Sequence, residues 1–130
     1  MMTTSLKNTA MALGIFILAG CSQPLNIQAV KGTWKPTGKA YLALGDMAIS
    51  DDAISWSNGQ RASFSIVSQD KYDIIVELTG TGYKYIKLTP KDNLVDLQKE
   101  DLRVTFYGPS QALTDKNASQ EIYTRQYKQY

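Results

Sequence analysis

The chain has 130 residues, with 14 Lys and Arg against 12 Asp and Glu, no His and one Cys. That length suits one small domain plus a targeting segment, and the residue inventory excludes His-based acid–base catalysis, Cys–His nucleophiles, His-ligated metals and an intramolecular disulfide. A net charge of +2, with both signs interspersed from Lys31 to Lys128, lacks the basic cluster of a nucleic-acid partner, so no nucleic acid, metal or other cofactor is expected.

Residues 1–9 are polar with one positive charge at Lys7, and residues 10–18 form an unbroken apolar run of nine. Such a run falls short of the roughly 20 residues that span a bilayer and has the pattern of a secretory signal peptide. It closes on Leu18-Ala19-Gly20-Cys21, followed by Ser22-Gln23-Pro24. This box resembles the lipobox of bacterial lipoproteins. The resemblance implies that the signal peptidase recognises Leu18, Ala19 and Gly20, that cleavage falls before Cys21, and that Cys21 is lipidated, with a diacylglycerol thioether on its sulfur and palmitate-type acyl chains. Ser22 after the Cys, in place of Asp, implies sorting to the outer membrane, with the periplasmic face expected. Removing 20 of the 130 residues leaves 110 and takes Lys7 away, a near-neutral domain held by lipid chains rather than by charge. Residues 21–30 read as a lipidated tether, reaching up to about 30 Å at 3.3–3.6 Å per residue.

From residue 31 to 108 the chain reads as an all-β antiparallel meander. Turn signals at Gly32, Pro36-Thr37-Gly38, Gly45, Asp51-Asp52, Asn58-Gly59, Gln69-Asp70-Lys71, Gly80-Thr81-Gly82, Pro90-Lys91-Asp92-Asn93 and Gly108-Pro109 recur at sandwich or barrel spacing. Between them the period is two: Ala62, Phe64 and Ile66 alternate with Arg61, Ser63 and Ser65; Tyr72, Ile74, Val76 and Leu78 with Asp73, Ile75, Glu77 and Thr79; Leu102, Val104 and Phe106 with Arg103, Thr105 and Tyr107. A phase change at Gly45 predicts a glycine bulge. Asn58-Gly59 predicts a type I′ hairpin with positive φ at both residues. About seven or eight strands result, enough for a small barrel. Residues 109–130 read as a polar tail or a short amphipathic helix, with Tyr123, Tyr127 and Tyr130 at i, i+4 and i+7.

Ser68-Gln69-Asp70-Lys71 has the S-x-x-K spacing of penicillin-recognising serine enzymes, but it falls between two strands and reads as a turn. Asp46, Asp51 and Asp52, like Asp92, Asp96, Glu100 and Asp101, lack the order of a calcium loop and read as solvated turn carboxylates. The aromatics are the more informative group. Trp34 and Trp56 fit either core filling or the lining of an apolar ligand cavity. Tyr41, Tyr83, Tyr85 and Tyr107, at strand ends, fit cross-strand pairs or the contact surface of a partner.

Gly32-Thr33-Trp34 at the start of the meander is similar to the G-x-W opening of lipocalins and lipocalin-like bacterial lipoproteins. That resemblance implies an up-and-down barrel whose narrow end the Trp closes. A weaker likeness is to lipid-anchored lysozyme inhibitors, through Gly82-Tyr83-Lys84. The expectation is a non-enzymatic, lipid-anchored envelope protein that binds a protein or envelope component through Tyr83, Tyr85 and Tyr107. The alternatives are a carrier of a small apolar ligand at Trp34 and Trp56, or an inhibitor or immunity protein against a lysozyme or toxin.

Overall fold

A computed structural model describes residues 24–38 and 42–126. Leu18, Ala19, Gly20 and Cys21 therefore lie outside the described residues, as do Tyr41, Tyr127 and Tyr130. Eight strands follow one another in chain order around a closed antiparallel barrel: β1 (Gly32–Pro36), β2 (Met47–Ile49), β3 (Ala53–Trp56), β4 (Arg61–Gln69), β5 (Ile74–Thr79), β6 (Tyr85–Asp92), β7 (Lys99–Tyr107) and β8 (Ser119–Gln126). The all-β meander read from the period of two is thus the architecture, with eight strands.

Barrel closure rests on the segment expected to be a tail or a short helix. Residues 119–126 are a strand whose ladder with β7 runs from Lys99↔Gln126 to Phe106↔Ser119 and whose other edge takes Lys35 and Pro36 of β1. Glu121 and Tyr123 are buried, so the segment alternates as a strand does. With neighbours on both sides, its backbone polar groups are satisfied without a helix. The barrel therefore extends past residue 108, the boundary drawn from sequence.

Two local expectations also change. The β3–β4 connection has positive φ only at Gly59; Gly59 N–H donates to Trp56 C=O at 3.0 Å and Trp56 N–H to Gln60 C=O at 2.9 Å. That is a three-residue loop with glycine in the left-handed position, not a type I′ turn. Gly45 lies in the loop before β2, where a Cβ would sit 1.9 Å from Ser57 Oγ, so it serves close approach rather than a bulge. The register shift occurs instead in β4, between Ile66 and Ser68.

The interior is filled by side chains. Trp34, Met47, Ile54, Ile86, Leu88 and Leu102 are all fully buried, and burial of each such side chain stabilises the fold by about 1.5–3 kcal/mol. Because the strands alternate direction, the connections divide between two ends. At the entry end lie the segment before β1 and the turns after β2, β4 and β6; at the far end lie the connections after β1, β3, β5 and β7. Residues 24–30 are folded against the entry end rather than free. Leu25 packs on the core and its N–H donates to Asp70 C=O at 2.8 Å, and a single 3-10 turn, Ile27–Ala29, follows with Asn26 as its cap. Of the segment 21–30 expected as a tether, residues 24–30 therefore belong to the folded domain.

Candidate functional site

The entry end is sealed by one cation. Arg125, near the end of β8, stacks its guanidinium on the Trp34 ring, 4.1 Å from the centroid. Its Nε donates to Glu100 Oε1 at 3.1 Å, and its Nη atoms donate to the backbone carbonyls of Lys31 and, at 2.6 Å, Ala29. Trp34 Nε1 donates to Val30 C=O at 2.9 Å. The 3-10 turn, β7 and β8 are thereby joined through hydrogen bonds from all three guanidinium nitrogens, and β1 through the stacked ring. Gly32 has φ +126°, and a Cβ there would lie 3.3 Å from Arg125 Nη1, so glycine at this position suits both the backbone and the cation. The Gly-x-Trp spacing thus has a local physical meaning. Arg125, its third partner, is 91 residues beyond Trp34 in the chain and carries no sequence signal of its own.

Trp56 points to the other half of the interior, with its ring centroid 6.1 Å from Phe106. It is 3% exposed and Trp34 0%, so both tryptophans are core side chains. A pocket of about 230 Å³ that includes Trp56 is also lined by the outward-facing Thr33, Ala48 and Ser55 and lies on the outer wall. The interior near Trp56 does hold an unusual polar group. Glu121 is 1% exposed and both its carboxylate oxygens accept Leu42 N–H at 3.0 Å, which ties the long β1–β2 connection to β8. Beside it, burial and then the Glu121 charge push the Tyr123 hydroxyl up to about 12. The Trp56 indole N–H approaches that hydroxyl without reaching hydrogen-bond geometry, and both Trp56 Nε1 and Tyr123 Oη remain buried without a partner.

The three tyrosines share one corner of the far end but face different ways. Lys84 N–H donates to Tyr107 C=O at 2.8 Å, and Tyr85 stands opposite Tyr107 in the β6–β7 ladder. Tyr83 packs on the core with its ring centroid 4.9 Å from Phe106. Tyr107 faces outward yet is only 2% exposed, which corrects its expected place on a contact surface. The β7–β8 connection crosses it: Leu113, Thr114, Asp115 and Lys116 line one groove with Lys87, Thr105, Tyr107 and Gln120. Asp115 holds that crossing in shape by accepting Asn117 N–H at 2.8 Å and Gln111 Nε2 at 3.1 Å, bonds that lower its carboxyl below the usual value. Tyr85 alone is half-exposed on the outer wall, with Lys84 Nζ 5.5 Å from its ring centroid.

The remaining candidates resolve as local structure. Asp70 accepts Tyr72 N–H and Asp73 N–H, both at 2.8 Å, so Ser68–Lys71 is a strand end and a turn. Asp51 pairs with Lys31 at 3.1 Å and Asp46 with Lys35 at 3.6 Å. Among the described residues no three His, Cys, Asp or Glu gather as a metal site, and no helix is long and apolar enough to cross a membrane. Ala43, in the β1–β2 connection, is the one described non-glycine residue with positive φ, at 55°. Comparison of the chain with protein-family models, curated proteins and solved structures gives no match.

Proposed function

We propose that this protein is a lipid-anchored binding protein of the bacterial envelope, held at the periplasmic face of the outer membrane through Cys21, and that it offers the far end of its barrel to a protein or envelope component. One observation supports this reading above the others: the chain enters at one end, pinned by Leu25 to Asp70, while Tyr83, Lys84 and Tyr85 lie at the other. An anchor at the entry end leaves the far end facing away from the membrane. Strain at Ala43 and the half-exposed Tyr85 beside Lys84 are features of contact loops rather than of a plain barrel rim. The filled interior favours a surface contact over a deep ligand, and a chain without His, whose single Cys is assigned to lipid, favours binding over catalysis.

The test is a photo-crosslinking amino acid at position 85 in the full-length, lipidated protein in its own envelope. A discrete adduct that disappears on Lys84→Ala is expected; no adduct from position 85 contradicts the assigned surface. The anchor has its own test, since Cys21→Ser is expected to move the protein to the soluble fraction. A second reading, a carrier of a small ligand, is favoured by the two unpartnered polar atoms beside Glu121. It predicts that an envelope lipid extract quenches the fluorescence of Trp56, and a flat titration counts against it.

A further inference from the structure

The large apolar side chains that stay exposed are not scattered. Among the described residues they are Ile66, Val67, Tyr72, Leu94, Val95 and Leu97, and all six belong to two of the three hairpins that point to the entry end, β4–β5 and β6–β7. Leu94, Val95 and Leu97, in the β6–β7 loop, are 87%, 97% and 81% exposed. On its β5 side the β6–β7 hairpin outruns its neighbour: Leu88 is the last β6 residue paired with β5, and the strand runs on to Asp92 before the loop begins, while β7 stays paired with β8 as far as Lys99. Four more residues at about 3.3 Å each carry the tip roughly 13 Å along the strand beyond that pairing. On β4, pairing with β3 is confined to Arg61–Ser63, so the β4 edge of the β4–β5 hairpin, with Ile66 and Val67, likewise outruns its neighbour, and Tyr72 lies in the turn at its tip.

The β6–β7 tip is a built feature. Asn93 Oδ1 accepts Val95 N–H at 3.0 Å and Asp96 N–H at 2.7 Å; Gln98 N–H donates to Asp96 Oδ1 at 3.0 Å and Lys99 N–H to Asp96 C=O at 3.0 Å. Four backbone donors that would need water are met inside the loop, which lowers the cost of placing it in a water-poor layer. Lys91 and Lys99 flank the tip in sequence, with stems long enough to keep their ammonium groups among phosphates. At the neighbouring turn Lys71 Nζ lies 5.2 Å from the Tyr72 ring centroid, a pairing of the residue types that favour membrane interfaces.

The anchor points to the occupant. Cys21 is four residues from Leu25, which is fixed to the Asp70 turn, so the lipid lies within about 14 Å of the entry end. The outward positions of the strands carry Arg61, Glu77, Lys87 and Arg103, so the outer wall itself is no lipid-facing band. We propose that the entry end rests on the bilayer and that Leu94, Val95 and Leu97 insert at the boundary between headgroups and acyl chains beside the Cys21 lipid. This rests on the anchor reading above and adds a second, protein-made contact that fixes the barrel's orientation.

The experiment uses the full-length lipidated protein in phosphatidylcholine vesicles, with an environment-sensitive fluorophore on Val95→Cys and, as a control at the far end, on Asn58→Cys. Mass spectrometry of the same sample reads the lipid on Cys21. A blue-shifted Val95 label that loses most of its emission to brominated acyl chains, with the Asn58 label unmoved, is the expected result. A water-like, unquenched Val95 label on lipidated protein overturns the insertion and leaves the anchor reading intact. A blue shift without quenching by brominated lipid means the loop is covered by a second copy, and overturns it as well. Cys21 without lipid overturns the anchor reading, and the insertion falls with it.

Discussion

The two ends of the barrel solve the same problem differently. At the entry end one guanidinium meets an aromatic face, a carboxylate and two backbone carbonyls, and each of its three nitrogens has an acceptor. At the far end Glu121 is buried beside Tyr123 and Trp56, and two polar atoms go unpaired. The sealed end is where the apolar exposed loops project, and the loosely satisfied end is where a non-glycine residue sits at positive φ. Stability and adaptability are thus divided between the ends of one barrel, as they are in proteins whose contact regions are drawn from the less stable part of the structure.

The largest effect that would break this contrast is at the seal. Trp34→Ala is expected to cost about 4 kcal/mol, since it removes a fully buried ring and its stacking partner's support. Arg125→Ala is expected to cost about 3 kcal/mol by leaving Glu100 and two carbonyls unpaired, less than a fully buried pair because both side chains retain some exposure. Denaturant titration checks both, and losses under about 1 kcal/mol would mean the seal is incidental.

The sealing residues show how far the sequence could be read. The period of two gave the strands because each wall residue repeats its neighbour's environment, and Trp34 was legible beside a glycine. Arg125 was not, because its partners at Ala29, Lys31, Trp34 and Glu100 come together only on closure of the barrel. Strand β8 was hidden for a related reason: the inward pair Glu121 and Tyr123 includes a charge, so the alternation of polarity fails while the alternation of burial holds. Tyr107 looked like a surface residue because nothing in a strand's local pattern announces that a connection eleven residues long will cross its outer face.

That crossing sharpens the contrast within the far end itself. Tyr107→Ala is expected to cost about 3 kcal/mol, against less than about 0.5 kcal/mol for Tyr85→Ala on the open wall, measured by the same titration. Similar losses at the two positions would mean that the connection does not cover Tyr107 in solution.

Tyr123 gives a smaller effect, of opposite sign. Its hydroxyl is buried without a partner, so Tyr123→Phe is expected to stabilise the protein by about 1 kcal/mol at neutral pH. The same group sets an alkaline limit. Burial raises its ionisation from 10.0 to about 12, so the folded state favours the neutral phenol; that contribution is whole below pH 10.0 and is lost as pH rises toward 12. The decline in unfolding midpoint over that window is expected to be shallower in the Phe variant, and an unchanged decline would assign it to other groups. At the smallest end, Leu94→Ser with Leu97→Ser is expected to leave stability within about 0.5 kcal/mol, because the side chains touch solvent rather than core.

Amide hydrogen exchange of the folded chain tests the division between the ends most directly. Protection is expected to be greatest where the seal gathers, across Trp34, Glu100–Asp101 and Thr124–Arg125, and least in the connections at Leu42–Asp46 and Gly80–Lys84. Equal protection at both ends, or faster exchange around Trp34 and Arg125 than in the far-end connections, would contradict the account.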